Sequence, residues 1–216
     1  MIKAVIFDFD GVILESADIK TEAFRELFSA YPDKTQKGIE YHLTNAGISR
    51  YVKFRYFYEN ILKIHLAKEE ELELGEKFSK IVLKKVLEAP FVAGALEFLS
   101  GPNCLYHFFI ASGTPEEELH GILRGRNIDK YFKEAHGSPK EKPDIINDIL
   151  KRHRLKPKEA VYIGDAESDR RAAKETDVFF IERKADLEVS SSGRNSFMVK
   201  DLRGIKETLE IISKSC

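Results

Sequence analysis

Apolar residues fall along this chain in two rhythms. Short unbroken runs rich in β-branched and aromatic side chains stand within the first dozen residues, stopping at Asp8, and at residues 104–111, 160–163 and 178–181, with a weaker one at 133–136. Runs of that kind, apolar at successive positions, read as strands buried on both faces, which is how the strands of a parallel sheet are written. Between them the apolar positions recur at helical spacing. Ile19, Ala23, Phe24, Leu27 and Phe28 mark one face of a first helix, and further helices are predicted over 39–43, 51–66, 69–87, 95–99, 115–126, 144–153, 170–175 and 202–213. The polar stretches 32–38, 137–143 and 190–193 carry Pro, Gly or Ser and read as loops.

Strands alternating with helices predict an α/β fold, a doubly wound Rossmann-like parallel sheet with helices on both faces. The first strand breaks the alternation, because only helices follow it until about residue 100. The chain therefore divides into an α/β core of residues 1–14 and 89–216 and a small all-helical cap, residues 15–88, inserted into it. Within the cap, Tyr51, Phe54, Tyr56, Phe57 and Tyr58 are expected to pack the bundle, and the acidic run at 69–73 to be a solvated helix start beside the positive dipole end.

Composition narrows the class. A chain of 216 residues with 43% hydrophobic content can bury a real core, and a formal net charge of -1 argues against nucleic-acid or anionic-membrane partners. Cys104 and Cys216 are too far apart, and too few, for a disulfide framework or a zinc site; the first is expected as a buried thiol, the second as a tail residue. The N-terminus shows no basic leader and no long apolar segment, so a soluble cytoplasmic protein, monomer or homodimer, is expected.

Chemistry gathers at the strand ends. The first strand stops on Asp8 and Asp10, two like charges that ask for a cation or a proton, and Gly11 supplies a sharp exit. The second ends in Ser112-Gly113-Thr114, the fourth in Gly164-Asp165 with Asp169 close behind, and the loop after the third carries Lys140 and Lys142. In a parallel sheet the carboxyl ends share one edge, so these groups converge.

In this order the residues resemble the haloacid dehalogenase-like hydrolase superfamily, over most of the chain. Asp8-Phe9-Asp10-Gly11 is similar to its first motif, Ser112 to its second, and Gly164-Asp165-Ala166-Glu167-Ser168-Asp169 to its fourth. Aligning Pro143-Asp144-Ile145 with the family's third motif puts the motif lysine at Lys140, with Lys142 as rival. The resemblance implies Asp8 as nucleophile, Asp10 as acid and base, and Mg²⁺ held by Asp8, the Asp10 main-chain carbonyl and Asp165. It further implies Ser112 and Gly113 on the phosphate, Lys140 offsetting charge on the phosphorylated Asp8, and Asp169 and Thr114 in support. Neighbouring carboxylates are expected to raise the Asp10 pKa. The acid at position 10, absent from dehalogenases, points to phosphoryl chemistry.

The position of the cap resembles that in phosphoglycolate-phosphatase-like and β-phosphoglucomutase-like members. Its Gly47-Ile48-Ser49-Arg50 resembles a loop in which the Arg meets a substrate phosphate, with Lys20 and Lys53 as weaker substrate contacts. The implied activity is Mg²⁺-dependent hydrolysis of a small phosphorylated metabolite, such as a phosphoglycolate or sugar phosphate, through an aspartyl-phosphate. The alternatives are a phosphomutase and a catalytically idle phosphate-binding protein.

Overall fold

In the computed structural model, which describes residues 1–101, 105–186 and 197–214, the first apolar run forms β1 (Ala4–Phe7) in the interior of a sheet. It is flanked by β2 (His107–Pro115) and β4 (Ala160–Gly164); β3 (Glu134–Ser138) lies outside β2, and β5 (Phe179–Arg183) and β6 (Phe197–Val199) continue beyond β4. The order is β3-β2-β1-β4-β5-β6 and every pairing is parallel. This is the doubly wound α/β architecture expected.

The strand's alternation explains why its sequence does not alternate. Val5 and Phe7 point into a core shared with Phe98, Ile110, Leu119, Ile163 and Leu209, while Ala4 and Ile6 point into a second core with Phe109, Ile145, Ile149 and Ala172. Both faces are dry, so all four positions must be apolar. Burying each of the larger side chains contributes roughly 1.5–3 kcal/mol. The first face is covered by α5 (Ala95–Ser100), α6 (Glu116–Gly125) and α9 (Ile205–Lys214), the second by α7 (Lys142–Arg152) and α8 (Glu167–Thr176).

Residues 15–88 are helical, in α1 (Ala17–Leu27), α2 (Pro32–Thr44), α3 (Arg50–Tyr56) and α4 (Lys68–Glu88). Phe24, Phe54, Phe57 and Phe78 fill their centre, and the Phe28 ring stacks on Phe57 at 3.8 Å between centroids, so the aromatic run packs as expected. Three local expectations fail. The expected loop 32–38 is instead the first half of α2: Pro32 sits in its first turn, where its missing N–H and fixed φ suit a helix start. The helix expected over 51–66 is α3 followed by a π-helical turn (Phe57–Leu62), which ends at Lys63 in the left-handed region. The acidic run is not wholly solvated, because Glu71 is buried and pairs with Arg55 and Lys68. Strand β6 was not anticipated, and Cys104, Cys216 and the loop 190–193 lie outside the described residues. Among the described residues no helix is long and apolar enough to cross a membrane.

Candidate active site

Asp8 follows β1 directly, and its backbone N–H still donates to Ile163 O of β4, so the carboxylate leaves the sheet at a fixed point. The chain then turns through Gly11 at φ +74°. Arg183, from β5, pins that turn: its Nη1 donates to Gly11 O at 3.1 Å and its guanidinium pairs with Glu15 at 2.6 Å. Ser112, Gly113 and Thr114 end β2 beside it. Asp165 follows β4 on the other side, and Asp169 sits in the first turn of α8.

The lysine at the centre of this edge is Lys142, not Lys140. Lys142 is the first residue of α7 and is buried, and its Nζ donates to Asp8 Oδ2 at 2.9 Å and to Asp169 Oδ1 at 2.6 Å. Lys140 is exposed in the preceding loop and pairs with Asp148 on the solvent side of α7. The helix expected from Asp144 begins at Lys142, with Pro143 in its first turn, and the residue beside the Pro, rather than three before it, turns inward.

Asp169 has both oxygens occupied. Oδ1 accepts from Lys142 and from the Tyr162 hydroxyl at 2.7 Å, and Oδ2 accepts from the Ala166 N–H at 3.1 Å. It therefore anchors the lysine. Tyr162, fully buried in β4, was not singled out from sequence; a lone hydroxyl inside an otherwise apolar strand was its signal.

Asp10 has a different set of partners. Ser16 Oγ donates to its Oδ1 at 2.6 Å, Thr114 Oγ1 to its Oδ2 at 2.8 Å, and Lys20 of α1 forms an ion pair with the same oxygen. Burial pushes its pKa up, yet the Lys20 charge and these hydrogen bonds bring it below the ordinary carboxylate range. The expectation that crowding raises Asp10 is thus overturned. Burial instead raises Asp8, to about 8, reinforced by Asp169, Asp165 and Asp10 against the opposing charge of Lys142. It raises Asp165 to about 7, with Asp169 adding to it. Ser16, at the entry to α1, makes no side-chain cap; its hydroxyl serves Asp10 instead, one helical turn before Lys20.

These groups suit a hard divalent cation. Carboxylate oxygens of Asp8, Asp165 and Asp169 lie within 4.8 Å of one another. Asp169 is committed to Lys142, Tyr162 and Ala166, which leaves Asp8 and Asp165 as the side-chain ligands. An all-oxygen donor set matches Mg²⁺, and a buried and a partly buried carboxyl, Asp8 and Asp165, held above their usual pKa are the groups a cation would relieve.

The helical segment closes over this edge. Gly47, at φ +76°, approaches so closely that a Cβ there would lie 2.5 Å from Ser168 Oγ and 2.9 Å from Lys142 Nζ. Ser168 Oγ donates to Ala46 O at 2.8 Å, and Gly113 lies against the Gly47 carbonyl. The Arg50 guanidinium, buried over the Phe78 ring, makes a two-pronged ion pair with Glu118 of α6 at 2.7 and 3.0 Å. Lys53, also buried, has its Nζ 2.9 Å from His42 Nδ1, and His42 Nε2 lies 3.1 Å from Thr21 Oγ1. Burial, with the Lys20 charge, lowers Lys53 to about 7; burial and Lys53 lower His42 to about 3.

Comparison with known proteins gives a consistent picture. A family model described as "Haloacid dehalogenase-like hydrolase" matches residues 5–182. The chain is 25% identical over 179 residues to "Phosphorylated carbohydrates phosphatase" of Thermotoga maritima, covering 80% of each chain. It is 28% identical over 194 residues to "D-ribitol-5-phosphate phosphatase" of Bacteroides thetaiotaomicron, covering 81% of this chain and 88% of that one. In fold it resembles β-phosphoglucomutase from Clostridium difficile, with a TM-score of 0.77 at 20% identity over 100% of this chain and 99% of that one.

Proposed function

Because this chain belongs to the haloacid dehalogenase-like hydrolase family, we propose that it is a phosphatase that hydrolyses a small phosphorylated metabolite through an aspartyl-phosphate on Asp8. The observation that carries the reading is the division of partners along one edge. Lys142 is shared between Asp8 and Asp169, whereas Asp10 has its own cation, Lys20.

In the first half-reaction an Asp8 carboxylate oxygen attacks phosphorus and the ester P–O bond breaks. Ser112, Gly113 and Lys142 hold the phosphoryl oxygens and offset their charge. The leaving oxygen takes its proton from the Asp10–Lys20 ion pair. In the second half-reaction Asp10 accepts a proton from water as it attacks phosphorus, the bond to Asp8 breaks, and inorganic phosphate leaves. Bound Mg²⁺, held by Asp8, Asp165 and the Asp10 main-chain carbonyl, would supply positive charge that keeps Asp8 ionised and steadies the phosphoryl group. Residues 15–88 act as the cap: the contacts of Gly47 and Ser168, and the Arg50–Glu118 pair, favour a closed edge from which water is excluded in the first step. Arg50 serves this closure in place of the substrate contact expected from sequence.

The test is phosphate release from a panel of phosphorylated metabolites with Mg²⁺, for wild type and Asp8→Asn. Turnover that disappears in Asp8→Asn and on chelation of the metal is expected. Equal release by Asp8→Asn and wild type would remove Asp8 from the chemistry.

A further inference from the structure

Tyr162 of β4 is fully buried, and its ring lies in the second core with Ile6, Ile145 and Ala172, on the face that α7 and α8 cover. Its hydroxyl has one proton to donate and two acceptors within reach, Asp169 Oδ1 at 2.7 Å and Ala111 O at 3.0 Å. Ala111 belongs to β2, which β1 separates from β4, so the side chain reaches past its neighbouring strand to meet it. Ala111 directly precedes Ser112, and Asp169 is the acid that holds Lys142. One hydroxyl thus stands between the strand that carries the phosphate grip and the carboxylate that anchors the lysine.

The bonds on Asp169 show what that hydroxyl does. Oδ2 accepts the Ala166 N–H, and Oδ1 accepts both Lys142 and Tyr162. The outer torsion of an aspartate is soft, so a carboxylate held at one oxygen turns easily; a rigid donor on the other oxygen fixes its plane. Lys142 is a poor choice for that donor. Its stem is flexible, and under the phosphatase reading its ammonium must follow negative charge from Asp8 to the phosphoryl oxygens. Tyr162 has only its ring to place, and the core around it holds the ring still. Its bond to the carboxylate is charge-assisted, hence among the stronger of its kind. Lys142 Nζ carries three protons; Asp8 and Asp169 take two, and the third remains for the phosphoryl group.

Resting on the phosphatase reading above, we propose that Tyr162 is a positioning residue whose hydroxyl, placed beside Ala111 O, fixes Asp169 Oδ1 as the point about which Lys142 turns during phosphoryl transfer. Tyr162 touches neither the substrate nor a reacting atom; it acts through Asp169 and Lys142. A flexible ammonium tolerates a small displacement of its anchor when phosphate is merely bound. The transition states are narrower in geometry and do not. Loss of the hydroxyl therefore slows turnover and leaves phosphate binding nearly unchanged.

Steady-state kinetics with Mg²⁺, on the member of the phosphorylated panel that wild type turns over fastest, test this in wild type, Tyr162→Phe, Lys142→Ala and the double variant. Tyr162→Phe keeps the ring that fills the core, and urea unfolding run beside the kinetics gives the folded fraction to which each rate is referred. Tyr162→Phe is expected to lower kcat/KM by about 10- to 30-fold and to leave the inhibition constant of inorganic phosphate within about threefold of wild type. In the Lys142→Ala background the same substitution should cost less than about twofold, because the group it positions is gone. A hydroxyl that only supports the fold would cost the same factor in both backgrounds. An equal loss in both, a double variant with no detectable turnover included, would overturn the proposal, as would a Tyr162→Phe enzyme within about twofold of wild type. So would weakening of phosphate binding as large as the fall in kcat/KM, and failure of Tyr162→Phe to fold would assign the hydroxyl to stability instead. Each of these leaves the phosphatase reading intact, whereas a wild type that turns over no member of the panel would overturn both.

Discussion

Lys140 and Lys142 stand two positions apart and have different fates because α7 begins between them. The first lies in a loop and turns to Asp148 at the surface; the second opens the helix and lies over the sheet edge between Asp8 and Asp169. Lys142→Ala is therefore expected to lower kcat/KM by about 100- to 1,000-fold, and to destabilise the fold by about 3 kcal/mol by leaving two buried carboxyls without their cation. Lys140→Ala should stay within about twofold of wild type, since exposed pairs contribute little. Steady-state kinetics and urea unfolding of the two variants check both. The aspartates themselves were legible, because a strand end fixes where Asp8, Asp10 and Asp165 emerge. Their protonation was not. Asp10 is set by Lys20, which reaches it from a helix, and nothing in the spacing of a single sequence says that the one lysine of α1 turns down to the sheet.

The helical segment is where periodicity was least informative. Its helices were foreseen, yet Pro32 opened α2 where a loop was expected, and the run through Phe57 loosened into a π turn. Arg50 shows the same limit: its loop was recognisable, but its partner, Glu118, is 68 positions away on α6. Breaking this buried pair from either side should destabilise the protein by about 3 kcal/mol, and a double-mutant cycle of Arg50→Ala with Glu118→Gln should show strong coupling. Additive losses in chemical denaturation would deny the pair its role in joining α3 to α6. His42 gives the segment a pH dependence. Its pKa falls from 6.5 to about 3 on folding, so between those values the unfolded chain binds the extra proton and acid favours unfolding. Stability attributable to His42 is thus full above pH 6.5 and is lost as pH falls toward 3, by roughly 2–4 kcal/mol. The difference in unfolding free energy between wild type and His42→Gln, measured across that range, should shrink on acidification; a constant difference would show that His42 does not titrate in this way.

At the scale of the molecule, the parallel sheet is what makes a site from residues as far apart as Asp8, Ser112, Lys142 and Asp165. Strand order and parallel pairing bring their carboxyl ends to one edge, a consequence that alternating strands and helices made readable in advance. The closure of that edge was not readable, because it rests on tertiary approaches: Gly47 against Lys142 and Ser168, Arg50 against Glu118, Arg183 against Glu15. Under the function proposed above, the assembled edge transfers a phosphoryl group to Asp8 and then to water. The most direct measurement is acid quenching of a single turnover with substrate labelled in its phosphoryl group, in the presence of Mg²⁺, followed by mapping of any label on the protein. Transient label on the peptide that contains Asp8, absent from Asp8→Asn, is the predicted result. Release of phosphate with no label ever on that peptide, at the same rate in Asp8→Asn, would contradict it.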